Sequence, residues 1–170
     1  MQGHIKMKTI IVSGTPGTGK TEIAKELAKK LKYKYIDVNK IIKENSLSDG
    51  YDKKKECEIV DVKKLSKFLI DFIKKSKQNL VIDSHLAHYL PKKYIDLCII
   101  TKCELKDLKK RLEKRKYGKT KIRENIDSEI FDVCLNEAAE KGHTILIIDT
   151  TGKKATKLLD KETISILQQI

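Results

Sequence analysis

Residues 14–21 constrain the fold of this chain more than any other part of its sequence. They read Gly-Thr-Pro-Gly-Thr-Gly-Lys-Thr and fit the phosphate-binding pattern G-x-x-x-x-G-K-[ST] at every fixed position. The run TIIVS at residues 9–13 is β-branched and apolar, as a buried parallel strand should be. After the glycines, Ile23, Leu27 and Leu31 recur at helical spacing. A strand, a glycine-rich loop and a helix in this order predict a phosphate-binding loop, and both flanks argue against a chance match in a helix-entry turn.

This loop predicts a nucleoside triphosphate as ligand. Several backbone N–H groups must converge on the phosphates, and Gly14, Gly17 and Gly19 let the chain curl that tightly. The start of the following helix adds free N–H groups and a dipole that favours the β-phosphate. We expect Lys20 to reach the β- and γ-phosphates and Thr21 to place its hydroxyl on Mg²⁺.

A second landmark is Asp83, which ends the apolar run at residues 80–82. Ligands of open parallel sheets bind beyond the carboxyl ends of the strands, so we expect Asp83 at the glycine loop, holding hydrated Mg²⁺. Asp149 also ends a predicted strand and competes for this role, although the turn after it favours Asp83. His85 either orients a water or phosphate acceptor or caps the strand end, and both interpretations stand. For His88 a structural role is favoured.

The basic residues carry two signals. The net charge of +13 fits a polyanionic partner, but a solvated surface rich in Lys and Glu would give the same excess. Only three of the 37 basic residues are arginines, and all lie in one short stretch. Because a planar, always-charged fork suits phosphate oxygens, we expect a charge clamp there, with Arg115 the first choice, Arg111 the second and Arg123 the third.

Other classes of protein are disfavoured. No apolar run approaches the length of a membrane span and the N-terminus lacks a long apolar stretch, so we expect a cytosolic protein with no membrane partner. The four cysteines lack zinc-ribbon spacing, so reduced, buried thiols are expected rather than disulfides or a metal site. No guanine-reading Asn-Lys-x-Asp segment occurs, which argues against a GTPase. The cysteines are Cys57, Cys98, Cys103 and Cys134.

The remaining pattern predicts one α/β domain of 170 residues. Asp61 is a plausible N-cap for a helix, and residues 45–58 are predicted as a mobile loop over the site or an ordinary surface connection. Residues 114–123 are predicted as a small basic lid, or a solvated hairpin between helices, followed by one helix to about residue 141. The predicted inward-facing residues of the last helices are Leu105, Leu108, Leu112, Ile126, Ile130, Val133 and Cys134.

Together these residues resemble the adenylate kinase isoenzyme 6 family, over nearly the whole chain up to about residue 139. This family comprises small nuclear adenylate kinases of eukaryotes and their archaeal counterparts, which also act as assembly factors of the small ribosomal subunit. The matching segments are residues 14–21, Tyr35-Ile36, Asp49-Gly50-Tyr51-Asp52 with Cys57 and Asp61, Asp83-Ser84-His85, Arg111-Leu112-Glu113-x-Arg115-x-Tyr117, and Glu124-Asn125-Ile126-x-Ser128-Glu129-Ile130.

The resemblance implies a P-loop NTPase fold of the nucleoside-monophosphate-kinase type. Three α/β/α layers would enclose five parallel strands in the order 2-3-1-4-5. Residues 1–170 would form a single domain, with a monophosphate-binding region at about 37–60 and a lid at about 114–124. Residues 1–6 could be a tag or a native extension.

The resemblance also implies roles for individual residues. Asp83 and His85 match an Asp-x-His motif linked to ATP hydrolysis, and Thr21 and Asp83 would hold Mg²⁺, the latter through water. Asp37 and Lys43 would serve AMP. The expected catalytic residues are Lys20, Asp83, His85, Arg111 and Arg115, and the expected ATP-binding residues are Gly14, Gly17, Thr18, Gly19, Lys20, Thr21, Glu22 and Arg115.

The activity implied is phosphoryl transfer from ATP to AMP together with ATP hydrolysis, by a monomer in the cytoplasm, or in the nucleus of a eukaryote. The implied partners are a platform protein of the small ribosomal subunit and rRNA. Two departures predict weaker AMP binding and slow transfer: Lys43 replaces the usual arginine, and Asp83-Ser84-His85-Leu86 replaces an Asp-Gly-x-Pro-Arg segment. An ATPase-driven assembly factor and a P-loop kinase of another small metabolite remain alternatives.

Overall fold

Five parallel strands form the centre of the computed structural model, which describes residues 7–169. Within that range the strands are, in chain order, β1 Thr9–Ser13, β2 Lys34–Asp37, β3 Ser48–Asp52, β4 Cys57–Val60, β5 Leu80–Asp83, β6 Leu97–Lys102 and β7 Ile145–Asp149. The main sheet has the order β2-β5-β1-β6-β7. Because β3 and β4 form a separate pair, β5, β6 and β7 are the third, fourth and fifth strands of the main sheet in chain order. The observed order therefore confirms the predicted order 2-3-1-4-5.

Helices cover both faces of this sheet. They are α1 Lys20–Leu31, α2 Val38–Glu44, α3 Val62–Lys75, α4 Leu105–Lys114, α5 Lys119–Ile130, α6 Val133–Glu140, α7 Ala155–Leu158 and α8 Lys161–Gln168. Two short 3₁₀ turns, Ala87–Tyr89 and Lys92–Tyr94, lie between β5 and β6.

The central strand β1 shows why the three layers form. All five of its residues are buried, with Ile10 and Val12 in one apolar cluster and Ile11 in the other. Helix α1 packs Ile23 and Leu27 into the first cluster, and α3 contributes Leu65 and Leu69 to the second. Because both faces are covered, the strand needs a continuous apolar run rather than an alternating one. The three-layer prediction is confirmed.

Residues 45–58, predicted as a mobile loop, differ from expectation. β3 and β4 pair antiparallel and form a hairpin over residues 48–60. The Asp52 carboxylate accepts the backbone N–H groups of Lys54 and Lys55, and Glu56 takes a positive φ, which together close the turn. Most side chains of this hairpin are exposed, so the apolar alternation that signals a strand is missing.

The prediction of one long helix to residue 141 is also wrong. The chain breaks between α5 and α6, where Asp132 is left-handed and pairs with Lys102 of β6. Leu105 and Ile130, both predicted to face inward, are 42% and 51% exposed. The break predicted at residues 114–123 is shorter, since α4 ends at Lys114 and α5 starts at Lys119.

Other expectations hold. Asp61 caps α3 by accepting the backbone N–H groups of Lys63 and Lys64, and Gly142, at a φ of 73°, ends α6. Cys98 and Cys103 are buried, whereas Cys57 is exposed, contrary to the expected burial of all four thiols. In the part of the chain described, no helix is both long and apolar enough to cross a membrane. The predicted tag or extension at residues 1–6 lies outside the described residues.

Candidate active site

A cleft of about 1240 Å³ opens at the carboxyl edge of the sheet. Typical single-ligand pockets measure about 300–1,000 Å³, so this cleft is larger than a typical pocket for one ligand. Its walls are the glycine loop with the start of α1, helix α2 with the β3–β4 hairpin, the segment after β5, and the region from α4 to α6.

The glycine loop, residues 14–19, bends as the sequence predicts. Gly14 and Gly17 have φ angles of 135° and 96°, which L-residues rarely adopt. A Cβ at Gly17 would stand 2.8 Å from Leu108 and 2.9 Å from Leu112, so α4 packs directly against the loop. Gly17 and Gly19 line the cleft, whereas the buried Thr18 points its hydroxyl back to Thr101 at 2.7 Å.

Thr150, which directly follows β7, holds the rear of this loop. Its hydroxyl donates to the Thr18 carbonyl at 2.7 Å. The Arg111 guanidinium donates to the hydroxyl and carbonyl oxygens of Thr150 at 2.9 and 2.8 Å, and to the Gly17 carbonyl at 3.5 Å. Arg111 therefore lines the cleft, as predicted for a clamp, but its fork is engaged in bracing the loop.

Lys20 begins α1 and lies on the floor of the cleft. Its Nζ donates to the Thr15 carbonyl at 3.0 Å. Burial lowers the pKa of Lys20 from 10.5 to about 8, although the Asp83 carboxylate partly opposes this shift. The ammonium is thus short of counter-charge, which favours an anionic ligand. Glu22, in the first turn of α1, lines the same cleft.

Asp83 occupies the place predicted for it. It is buried, and its Oδ2 accepts hydrogen bonds from Thr21 Oγ1 at 2.6 Å and from the Tyr35 phenol at 2.9 Å. Burial, and to a smaller extent the neighbouring Asp83 carboxyl group, raises the pKa of Tyr35 well above its usual value, so the phenol stays protonated. Asp149, the competing candidate, is exposed and accepts the Thr151 N–H at 2.8 Å.

The chemistry of this oxygen set suits Mg²⁺. A threonine hydroxyl that donates its proton to Asp83 keeps its lone pairs for a cation, and the pair adjoins the loop that would hold phosphates. Mg²⁺ commonly uses one or two protein oxygens and fills its other positions with waters and phosphate oxygens. Within residues 7–169 there is no cluster of three or more His, Cys, Asp or Glu side chains that could hold a metal ion.

His85 and His88 lie in different environments. His85 is open to the cleft, yet its walls desolvate the ring and, with Lys20, lower the pKa of His85 to about 4. The imidazole is therefore neutral at pH 7. His88 is buried, with Nδ1 2.7 Å from Ser13 Oγ and Nε2 2.8 Å from Glu137 Oε2. Both ring nitrogens are satisfied, which agrees with the structural role favoured from sequence.

Helix α2 and the hairpin form the wall opposite the glycine loop. Lys43 lines the cleft there, together with the apolar Ile42 and Val60 and the exposed Tyr51. Asp37, predicted to serve AMP, instead caps α2 by accepting the Asn39 and Lys40 N–H groups, and it is absent from the lining residues.

The segment predicted as a lid, residues 114–124, approaches this wall from the other side. Arg115, at the end of α4, is exposed and lines the cleft. Glu56 of the hairpin accepts the Gly118 N–H at 3.2 Å, and Lys121 Nζ donates to the Glu56 carbonyl at 2.5 Å. Arg123, the third choice for a clamp, is 85% exposed, pairs with Asp127 and does not line the cleft.

Comparisons with known proteins agree with this geometry. A family model described as an AAA domain matches residues 10–132. A Methanocaldococcus jannaschii protein named "Putative adenylate kinase" is 38% identical over 152 residues, 89% of this chain and 82% of that protein. The adenylate kinase isoenzyme 6 homolog of Caenorhabditis elegans is 34% identical over 131 residues, 77% of this chain and 72% of that protein.

The chain belongs to the adenylate kinase isoenzyme 6 family. This confirms the predicted family resemblance. Shikimate kinase from Acinetobacter baumannii, solved in complex with shikimate, aligns with a TM-score of 0.68 over 96% of this chain and 94% of that chain. At 16% identity this likeness shows a shared fold alone.

Three residues of this isoenzyme 6 family member were missed as parts of the site. Tyr35 was noted only for its family match, Thr150 only as part of a turn, and Glu56 only as part of a loop. Each acts through a partner far away in sequence, at separations of 48, 132 and 62 residues. A polar residue directly after a strand end is a sequence signal that could have pointed to Thr150, whereas Tyr35 lies inside β2 and carries no such signal.

Proposed function

We propose that this protein transfers the γ-phosphoryl group of ATP to AMP. The observation that carries the proposal is one continuous cleft in which the glycine loop forms one wall, and α2 and the hairpin, with Lys43 and Tyr51, form another. A hydrolase needs only the first wall. The Lys43 ammonium offers a charge for the acceptor phosphate, and the half-buried Val60 and the exposed Tyr51 offer surface for a base.

In this reaction an oxygen of the AMP phosphate attacks the γ-phosphorus, the bond to the β,γ-bridging oxygen breaks, and two ADP molecules result. The transition state spreads negative charge over the equatorial oxygens, so positioning and electrostatics do most of the work. Lys20 would bind the β- and γ-phosphates from the floor, and Arg115 would close over them from the lid. Arg111 would hold the glycine loop in shape through its hydrogen bonds to Thr150, and binding the phosphate would not be its main role.

Thr21 and Asp83 are the residues that would hold Mg²⁺. When bound with ATP, this ion would supply positive charge that offsets the charge on the phosphate oxygens. The protein prepares for this with the Asp83 carboxyl group, which already accepts the Thr21 hydroxyl.

A second candidate function is ATP hydrolysis as a switch, and His85 is the observation that favours it. Its ring is neutral at pH 7 and faces the cleft beside Lys20, so it can accept a proton from water or orient one. In this role the ring would direct water to the γ-phosphorus when AMP is absent. The family resemblance and the net charge of +13 also support binding to a small-subunit ribosomal protein or rRNA, in a cytosolic protein.

The test is ADP formation from ATP and Mg²⁺, with and without AMP. We expect AMP to raise turnover well above the hydrolytic background, and Lys20→Ala to lower it by about 10²–10³-fold while Lys29→Ala, on the exposed side of the same helix, leaves it unchanged. His85→Ala should reduce hydrolysis more than transfer. If AMP has no effect and His85→Ala abolishes ADP formation, the protein is an ATPase, and stimulation by small-subunit ribosomal protein or rRNA becomes the next measurement.

A further inference from the structure

We propose that Tyr35 is a positioning residue for the Mg²⁺–nucleotide complex, acting through Asp83. The proposal rests on the Mg²⁺ site assigned above. It concerns a side chain that does not line the cleft. Its phenol reaches the Asp83 carboxylate at the carboxyl end of β5, which also accepts the Thr21 hydroxyl.

Strand register brings Tyr35 to this place. β2 and β5 run parallel, with Tyr35 beside Val81 and Asp37 beside Asp83. Because side chains alternate along a strand, Val81 and Asp83 point to the same face of the sheet. That face is covered by α1, which carries Thr21 at its start, and both Tyr35 and Val81 belong to the apolar cluster beneath α1. The phenol therefore approaches Asp83 from the side of the sheet to which Thr21 belongs.

Both hydrogen bonds to Asp83 fall on the same oxygen. Oδ2 accepts from Thr21 at 2.6 Å and from Tyr35 at 2.9 Å, and Oδ1 takes part in neither bond. A carboxylate held by one donor can still rotate about its terminal torsion, whose energy is broad. Two donors from different elements, α1 and β2, restrict that rotation and leave Oδ1 for the water shell of a cation.

The Tyr35 ring is itself held in place. Lys25 of α1 places its ammonium 5.7 Å from the ring centroid, and the ring packs among the apolar residues under α1. The phenol oxygen thus has little freedom, so its hydrogen bond transmits the position of the sheet to the carboxylate. Outer residues of this kind orient metal ligands, and their loss typically weakens metal affinity by about 10–100-fold.

Tyr35→Phe removes only the phenol oxygen and tests this role. We expect ADP to bind about tenfold more weakly in the presence of Mg²⁺, the lower end of the usual effect of losing such a partner, and with unchanged affinity in EDTA. Mn²⁺ binding to the protein–ADP complex, followed by electron paramagnetic resonance, should weaken by a similar factor. Tyr33→Phe is the matched control, because Tyr33 lies on the same segment and shows no contact with Asp83.

A double-mutant cycle with Asp83→Asn decides whether the effect passes through the carboxylate. In the Asp83→Asn background, Tyr35→Phe should not further weaken Mn²⁺ binding or the Mg²⁺-dependent binding of ADP. Equal weakening of ADP binding with and without Mg²⁺, or an equal additional loss in the Asp83→Asn background, would overturn the proposal. These binding measurements do not involve AMP, so they remain informative if phosphoryl transfer to AMP is not found.

Discussion

Gly14→Ala should destabilise the protein far more than the same change at Gly152. Gly14 has a φ of 135°, and a Cβ added there would lie 2.5 Å from the Thr101 carbonyl oxygen and 2.8 Å from its hydroxyl. The carbonyl belongs to strand β6, which is paired on both sides by β1 and β7, so it cannot move aside as a flexible side chain would. Gly152 has a φ of 60° and nothing within 4 Å of the added atom.

The expected cost at Gly14 has two parts. A non-glycine residue held in a sparsely populated backbone region costs about 1–3 kcal/mol, and forcing an extra methyl group into packed surroundings costs a further 1–3 kcal/mol or so. Their sum is about 4 kcal/mol, whereas Gly152→Ala should cost only about 1 kcal/mol for its left-handed backbone. For a domain of this size, about 4 kcal/mol lowers the Tm by roughly 8–16 °C.

Urea unfolding followed by circular dichroism measures both variants against the parent protein. Slopes must stay equal, so that a shift of the midpoint reports stability alone. If the two substitutions differ by less than about 0.5 kcal/mol, within the usual additivity error, the close packing of the loop against β6 is refuted.

Three further predictions concern the cleft. Lys20 has a pKa of about 8 in the free protein, and bound phosphates would raise it, so nucleotide binding should take up about 0.5 proton at pH 8 and about 0.1 proton at pH 7. The affinity for nucleotide should therefore fall as the pH rises through 8. Calorimetry in buffers of different ionisation enthalpy measures the proton uptake, and equal uptake at the two pH values would contradict the prediction. Glu56→Ala removes the acceptor of the Gly118 N–H, so the cooperativity between the two bound nucleotides should fall about fivefold, or about 1 kcal/mol of coupling free energy. Titrating each nucleotide in the presence and absence of the other measures this coupling. An unchanged coupling would refute the prediction. Arg111→Lys removes the guanidinium that holds Thr150 and should lower the free energy of unfolding by about 1–3 kcal/mol. The control Arg123→Lys, at an exposed position, should change the free energy of unfolding by less than about 0.5 kcal/mol. Equal effects of the two substitutions in a denaturant titration would argue against the bracing role of Arg111.

Local sequence was enough where a feature depends on neighbouring residues. The glycine loop is contiguous, so its pattern, the strand before it and the helix after it all lie within residues 9–31. The strand-end rule placed Asp83 at the same edge because parallel strands share one direction. The same reasoning failed for the hairpin at residues 48–60, whose exposed side chains carry no apolar alternation. It also failed for the helix break at Asp132, where a left-handed backbone coincides with an ion pair to Lys102 of a distant strand.

The sequence by itself determined the phosphate-binding loop, the family and the place of Asp83 at the carboxyl edge of the sheet, and the family resemblance implied the order of the strands. Only the tertiary structure decided that Arg111 grips Thr150, that Glu56 meets Gly118, and that Tyr35 donates to Asp83. The physical reason is range. Periodicity and motif spacing record contacts within an element, whereas a hydrogen bond between side chains tens of residues apart depends on strand register and rotamers that exist only once the core has packed.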